Sequence, residues 1–187
     1  MRWEELFADL EAQARSLGRA EEGELSDRTR GEMAQVTLMN RLRAQVSRQV
    51  TVSIRGLGDL TGRLQRTGAD WLLLQAPDEV IVPLAAVMAL RDLPPDAVSP
   101  DSSGVVAGGL RLTSVLRGAA RDRSVVVVTR VDGRSLTGTP DRVGADFVDL
   151  ALHDPVEAPR RTEVRARATV SLAAIACIRR RPTGWGS

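Results

Sequence analysis

The spacing of apolar residues changes along the chain from a helical to an alternating period. In the first part, apolar residues recur at intervals of three and four, which predicts an amphipathic helix through Trp3, Phe7 and Leu10 that ends near Gly18. A second helical stretch follows, with apolar residues at Met33, Val36, Met39, Leu42 and Val46. From Val50 onward, apolar and polar residues alternate, as in a half-buried β-strand. Turn residues then separate five short apolar segments, which we expect to form strands at 50–55, 60–66, 71–75, 80–83 and 87–90. Strands so short and so closely spaced predict a small barrel.

The alternating pattern occurs twice. Residues 60–74 read LTGRLQRTGADWLLL and residues 136–150 read LTGTPDRVGADFVDL, with eight identities in fifteen positions at a shift of 76. About one identity is expected by chance. The segments VPLAAV at 82–87 and VSLAAI at 170–175 also match, at a shift of 88, so the second copy carries twelve extra residues. We infer an internal repeat whose second copy begins with a helix at 110–121 and has an insertion within 153–167.

The order of these elements resembles the Sm-like family of small SH3-type barrels. The features in common are a helix, a VxVxI strand, a glycine turn, an LxGxL strand, a turn before an apolar third strand, and a short apolar last strand, over roughly 38–93 and 110–181. The resemblance implies a mainly β fold with N-terminal helices, in which two tandem five-stranded barrels are each preceded by a helix. Members of this family hold RNA with an Asp and an Asn near the third strand and with an Arg-Gly pair. Here Asp70 and Asp146 have no such Asn after them and no Arg-Gly pair follows, so we assign these residues and the neighbouring glycines to turns and scaffold.

The two copies divide the chain into segments. A proline-, glycine- and serine-rich stretch between them has little periodicity and is typical of a linker. The predicted segments are N-terminal amphipathic helices at 1–34, a first barrel with its leading helix at 35–93, a linker at 94–109, a second barrel with its leading helix and an arginine-bearing insertion at 110–182, and a tail at 183–187.

Length and composition exclude several classes of protein. With 187 residues, of which 43% are hydrophobic, the chain is long enough to bury a core. Its longest apolar run, at 168–178, is shorter than the roughly eighteen residues that a membrane span needs. The acidic N-terminus lacks the basic start of a signal peptide, so we expect a cytoplasmic protein without a membrane partner. A single cysteine, Cys177, excludes an internal disulfide, and its apolar neighbours predict that it is buried.

The sequence offers no arrangement of catalytic or metal-binding residues. The one histidine, His153, precedes Asp154, but neighbouring side chains of an extended segment point to opposite faces. No carboxylates are spaced to complete a metal site with His153 and Cys177. Because the chain has no lysine, it also lacks the Gly-Lys-Ser/Thr ending of a phosphate-binding loop. We therefore expect no catalytic residue, no cofactor, no metal and no enzymatic activity.

The arginines of the second copy are the remaining binding candidates. All 26 basic residues are arginine, a bias that a GC-rich coding sequence explains, so the pI of about 9.8 is not by itself a sign of nucleic-acid binding. Residues 1–101 hold 12 arginines against 16 acidic residues, whereas residues 102–187 hold 14 against 8. The candidates for contacts with nucleic acid or another acidic partner are Arg160, Arg161, Arg165, Arg167, Arg179, Arg180 and Arg181. Alternatively, these arginines pair with nearby acidic residues on a solvated hairpin, and the scarcity of aromatic residues argues against stacking on single strands.

Apolar residues of the N-terminal helix point to protein contacts. Trp3, Phe7 and Leu10 must be covered by a barrel of the same chain, by a second copy or by another protein. Small barrels also leave strand edges open to pairing, so self-association or a protein partner is expected. We hypothesise a non-enzymatic interaction or regulatory protein. The alternative is a nucleic-acid-binding regulator, for RNA or DNA, that uses the basic second barrel.

Overall fold

The computed structural model describes residues 35–98, 109–153 and 166–180. Several of the sequence predictions fall outside these ranges. They are the N-terminal helix with Trp3, Phe7 and Leu10, most of the linker, the insertion with Arg160, Arg161 and Arg165, and the C-terminal residues from Arg181 onward. For these segments the sequence-based expectations stay predictions.

Two α-helices and ten β-strands lie in the described ranges. Helix α1 spans Leu38–Ala44 and helix α2 spans Leu112–Arg121. The strands are β1 (Gln49–Ile54), β2 (Gly58–Thr67), β3 (Trp71–Ala76), β4 (Asp78–Pro83), β5 (Val87–Arg91), β6 (Val126–Arg130), β7 (Ser135–Val143), β8 (Phe147–Leu152), β9 (Ala166–Ser171) and β10 (Ile175–Arg180). A single 3₁₀ turn joins β4 to β5, and another joins β9 to β10. The five strands predicted for the first copy are thus confirmed, each to within a few residues.

All ten strands belong to one antiparallel sheet, which is not closed. Its order is β5-β1-β2-β3-β4-β10-β6-β7-β8-β9. The prediction of a mainly β fold is confirmed. The first five strands and the last five have the same internal order, so β10 stands in the second half where β5 stands in the first, and β9 stands where β4 stands. The halves meet where β4 pairs with β10, and β5 and β9 are the two outer strands.

The alternating sequence pattern determines which face of each strand is buried. In β1, Val50, Val52 and Ile54 are buried, while the residues between them are partly exposed. On the outer face, the hydroxyls of Thr51 and Thr61 form a hydrogen bond of 2.8 Å between β1 and β2. The period of two therefore separates a core face from a solvated face, as expected for an antiparallel sheet.

The two halves share irregular backbone features as well as strand order. The pairing register shifts between Leu64 and Arg66 in β2 and between Pro140 and Arg142 in β7, positions that the shift of 76 relates. The peptide N–H of Leu84 donates to the Asp70 carbonyl oxygen at 2.8 Å, and Leu172 donates to that of Asp146 at 2.7 Å. A bulge at equivalent positions indicates that both sequence copies encode the same local fold.

Two core clusters extend across the boundary between the halves. The first contains Val52, Leu64 and Leu72 from the first half together with Ala176 and Cys177 from β10. Cys177 is fully buried, as the sequence predicted. The second cluster contains residues of β6, β8 and α2 together with a tryptophan of the first half, Trp71. Each half therefore completes the core of the other, which removes more apolar surface from water than either alone.

Candidate functional site

Three of the seven arginine candidates lie in the described residues. Arg167 on β9 is 72% exposed, and its guanidinium lies 4.0 Å from the Asp141 carboxylate. Arg179 is half-buried, and the exposed Arg180 donates a hydrogen bond of 3.3 Å to the Ser124 hydroxyl. Strands β6, β7 and β8 separate β10 from β9 in the sheet order. Strand pairing therefore does not bring Arg167 beside Arg179 and Arg180.

The titratable residues that the sequence singled out have local structural contacts. Nε2 of His153 lies 2.8 Å from the Thr139 hydroxyl, and its peptide N–H donates to the Thr137 carbonyl.

Within ranges 35–98, 109–153 and 166–180, no group of three or more His, Cys, Asp and Glu residues is arranged to hold a metal ion. None of the helices in these ranges has the length and apolar character needed to cross a bilayer.

The junction between the halves is anchored where α2 begins. Asp70, in the turn between β2 and β3, accepts a hydrogen bond of 2.7 Å from the peptide N–H of Leu112. The carbonyl oxygen of Leu110 accepts two more, from the Ala69 peptide at 2.9 Å and from Nε1 of Trp71 at 3.0 Å. Since the first amides of a helix have no partner within the helix, a carboxylate there is stabilising. These three hydrogen bonds fix the helix of the second half on a turn of the first.

A cavity of about 330 Å³ lies at this junction, lined by residues of α2, β3, β4 and β10. Its apolar lining includes Trp71, Leu73, Ile81, Val115 and Ile178. The charged residues at the cavity are Arg66, Glu79, Asp122 and Arg180. Because the lining comes from both halves, the pattern of neither sequence copy alone indicates the cavity.

The outer strands expose positions whose counterparts at the junction are buried. Met88 in β5 corresponds to Ala176 in β10, and their exposed fractions are 67% and 0%. Phe147, which pairs with Ser171 of the outer strand β9, corresponds to Trp71, and these two are 36% and 4% exposed. Met88 and Phe147 are thus two exposed apolar side chains on or beside the outer strands; the other large apolar residues exposed in the described ranges are Leu38, Val46 and Leu110.

The two helices also differ in how far their first leucine is exposed. At a shift of 74, Leu38 and Leu42 of α1 align with Leu112 and Leu116 of α2. Leu42 and Leu116 are both fully buried, so each helix packs its inner face on its own half. Leu112 is also buried, in the same cluster as Trp71, whereas Leu38 is 41% exposed. The first leucine of the helix is covered only where a turn of the other half lies against it.

Asp146 is the counterpart of Asp70, but neither of the two described helices begins at its carboxylate. It is exposed, and among the described residues its side chain has no hydrogen-bond partner. Sequence reasoning assigned both aspartates to turns and did not recognise Asp70 as the acceptor for a helix in the other half. The only sign of this role in the sequence was that Gly-Ala-Asp recurs before an aromatic residue. Because the helix that contacts Asp70 is distant in sequence, the local pattern could not indicate the contact.

Comparisons with known proteins identify no family for this chain. A scan against protein-family models found no match to the chain, and a search of curated proteins found none either. The functional reading therefore rests on the junction and on the two outer strands.

Proposed function

We propose that the chain is a non-enzymatic interaction or regulatory protein, built from tandem Sm-like barrels, that binds protein through the outer strands of its sheet. The observation that carries the proposal is the exposed apolar surface at both ends of the sheet, Met88 on β5 and Phe147 beside β9. An outer strand presents unpaired peptide groups to which another strand can add. Apolar side chains beside it add favourable burial to those backbone hydrogen bonds.

The shared strand order of the two halves supports the assignment to tandem barrels. Each half has its fifth strand paired with its first, and each begins with a helix that packs a buried leucine, Leu42 or Leu116, against its strands. This is the element order on which the resemblance to Sm-like barrels rests.

Site-specific photo-crosslinking tests the binding surface. We expect a photoreactive amino acid at position 88 or 147 of the full chain, expressed in its own cells, to form covalent adducts with protein. The same amino acid at position 65 is the control, because Gln65 is exposed on β2 but lies inside the sheet order. Mass spectrometry of the adducts identifies the partner. An absence of adducts at both test positions would contradict the proposal.

Arg167 favours the nucleic-acid alternative, because its side chain is 72% exposed and its guanidinium lies as far as 4.0 Å from the Asp141 carboxylate. Binding through arginines to phosphates weakens steeply as salt rises. Mixed RNA and DNA fragments should therefore be titrated at low and moderate salt with the wild type and with a variant in which Arg160, Arg161, Arg165 and Arg167 are changed to Ala. Equal binding by both proteins, or binding by neither, rejects this alternative. An Arg63→Ala variant, altered at an exposed position of β2, measures the effect of removing one positive charge outside the candidate set.

A further inference from the structure

We propose that the cavity at the junction between the halves binds a medium-chain carboxylic acid, a small molecule with an aliphatic body and one carboxylate. None of the described residues that line the cavity belongs to the outer strands β5 and β9, so this inference goes beyond the proposed function. The volume of about 330 Å³ is at the lower end of the roughly 300 to 1,000 Å³ typical of small-molecule sites. At roughly 30 Å³ for each water-sized atom, it holds about ten non-hydrogen atoms.

The floor of the cavity is a row of aliphatic side chains across three strands. The pairing registers place Leu73 of β3 beside Ile81 of β4, and Ile81 beside Ile178 of β10. Because neighbouring strands are roughly 4.8 Å apart, the row extends for about 10 Å. Leu73 and Ile81 are only half-buried, although both pack against the second core cluster. An aliphatic chain along this row would therefore remove apolar surface from water.

Helix α2 lines the cavity from the second half. Val115 and Ala119 are four positions apart, so they share one face of the helix, and both line the cavity. Both are half-buried, whereas Leu116 of the same helix is fully buried in the core. Since Ala119 carries only a methyl group, the helix leaves open the space that a larger side chain would fill. The two halves thus form the apolar lining of one site.

Arg66 is the charged group that we assign to the ligand carboxylate. It lies on β2 opposite Leu73, so it stands at the end of the aliphatic row and also lines the cavity. Its guanidinium has neither a hydrogen bond nor an ion pair with another described residue. A guanidinium presents parallel N–H donors that match the two oxygens of a carboxylate. The row and the arginine together fit a chain that ends in a carboxylate.

The remaining charged residues at the cavity lie on elements beyond β3 from Arg66. Continuing the register of β4 with β10 places Glu79 opposite Arg180. The Arg180 guanidinium also donates to the Ser124 hydroxyl at 3.3 Å, and Asp122 caps the end of α2 two residues before that serine. Because β3 separates β2 from β4, the strand with Arg66 is about 10 Å from the strand with Glu79. Arg66 is therefore the cation placed to receive an anionic ligand.

A ligand in this cavity links the two halves. Leu73 and Ile81 belong to the first half, and Val115 and Ile178 belong to the second. These residues come together only in the folded chain, so the ligand binds the folded state in preference to the unfolded one. Tm should therefore rise with ligand concentration.

Isothermal titration calorimetry of the full chain with octanoate tests the site. Octanoate has ten non-hydrogen atoms, and we expect a Kd of about 0.1 to 1 mM, as the free energy per atom of small ligands implies. The heat-capacity change should be negative, because apolar surface is buried. 1-Octanol has the same chain without the charge and should bind about three- to tenfold more weakly. An absence of saturable octanoate binding, or tighter binding of octylamine than of octanoate, would overturn the proposal.

Arg66→Gln separates the carboxylate contact from the apolar contacts. It should raise the Kd of octanoate about three- to tenfold and leave that of 1-octanol unchanged. Arg63→Gln is the matched control, because Arg63 is exposed on the same strand and is not among the residues that line the cavity. It should leave both constants unchanged. Equal effects of Arg66→Gln on the two ligands would overturn the assignment of the carboxylate.

Ala119→Leu tests the cavity by filling part of it. It should weaken octanoate and 1-octanol alike, by about five- to tenfold, because the added carbons occupy the space of the ligand chain. Ser114→Leu, at an exposed position of α2, should leave both Kd values unchanged, and circular dichroism confirms that each variant is folded. Unchanged binding by the folded Ala119→Leu variant would overturn the proposal. Octanoate binding that requires removal of the residues after Arg180 would also overturn it, since the chain itself would then occupy the cavity.

Discussion

At the scale of single residues, the recurring Gly-Ala-Asp turn is explained by close packing of an aromatic ring. A Cβ atom at Gly68 would lie 2.2 Å from Nε1 of Trp71, and one at Gly144 would lie 2.3 Å from Cε1 of Phe147. In each turn the glycine N–H also donates to the carbonyl oxygen of that aromatic residue, at 2.8 and 2.9 Å. Glycine is therefore required at both positions, because the aromatic ring occupies the space that a side chain would need. The same packing explains why glycine recurs at this position in both copies.

Gly68→Ala should destabilise the protein by about 1 to 3 kcal/mol, because the added methyl group must displace the buried indole. Chemical denaturation followed by circular dichroism measures the change in the free energy of unfolding. Gly118→Ala is the matched control, since a Cβ there meets only the flexible end of Arg121 at 4.0 Å inside α2. It should be neutral or stabilising by up to about 1 kcal/mol, as expected for glycine in a helix. Equal destabilisation by both substitutions would contradict the packing explanation.

We expect Asp132 to make the free energy of unfolding depend on pH. The hydrogen bond from the Arg130 guanidinium, and then that from the Arg134 peptide N–H, lower the pKa of the Asp132 carboxyl below its usual range. The Asp132 carboxylate therefore contributes to stability at pH values above the pKa that this carboxyl has in the unfolded chain. The contribution is lost as the pH falls through the lower pKa that it has in the folded protein. Asp132→Asn should reduce Tm at neutral pH, with a difference from the wild type that shrinks toward zero in acid. A difference of the same size at every pH would argue against this assignment.

At the scale of elements, the strands were predictable because local alternation sets their buried face, and the helix ends were not. The sequence pattern extended the second helical stretch toward Val46, but α1 ends at Ala44. Ser47 has a positive φ of 74°, and its peptide N–H donates to the Leu64 carbonyl at 2.7 Å. Tertiary pairing with β2 therefore overrides the helical period. The start of α2 likewise depends on hydrogen bonds to a turn of the other half, and the local sequence pattern does not indicate that contact.

Asp70→Ala should destabilise the isolated chain by about 0.5 to 2 kcal/mol, the cost typical of losing a cap at a helix N-terminus. Asp146→Ala is the matched control, since the carboxylate of this equivalent residue has no hydrogen-bond partner among the described residues. Measured at low protein concentration, it should leave the free energy of unfolding nearly unchanged. Comparable losses from the two substitutions would show that the turn needs its aspartate for another reason.

At the scale of the whole molecule, the sequence predicted two tandem units, whereas the structure has one continuous sheet with cores that cross between the halves. Each repeat could be recognised from its own residues, because turns and alternation are local. The pairing of β4 with β10 joins residues almost one hundred positions apart, and the core cluster that contains Trp71 is otherwise built from buried residues of the second half, including two of α2. Contacts of this kind depend on how the copies dock, which the repeated pattern does not encode.

The crossing cores predict a single cooperative unfolding transition for the two halves. Trp71→Ala should destabilise by about 3 to 5 kcal/mol, as for other large truncations in a core, and should lower amide protection in both halves together. Phe147→Ala removes the equivalent, partly exposed ring and should cost about 1 kcal/mol. Hydrogen exchange read by mass spectrometry resolves the two halves. Protection that persists in 126–152 after it is lost in 49–91 would contradict shared cooperativity.

One covalent chain carries both halves of the sheet, so β4 and β10 pair without a second molecule. Because this contact is intramolecular, its strength does not depend on protein concentration, and dilution leaves the junction between the halves intact.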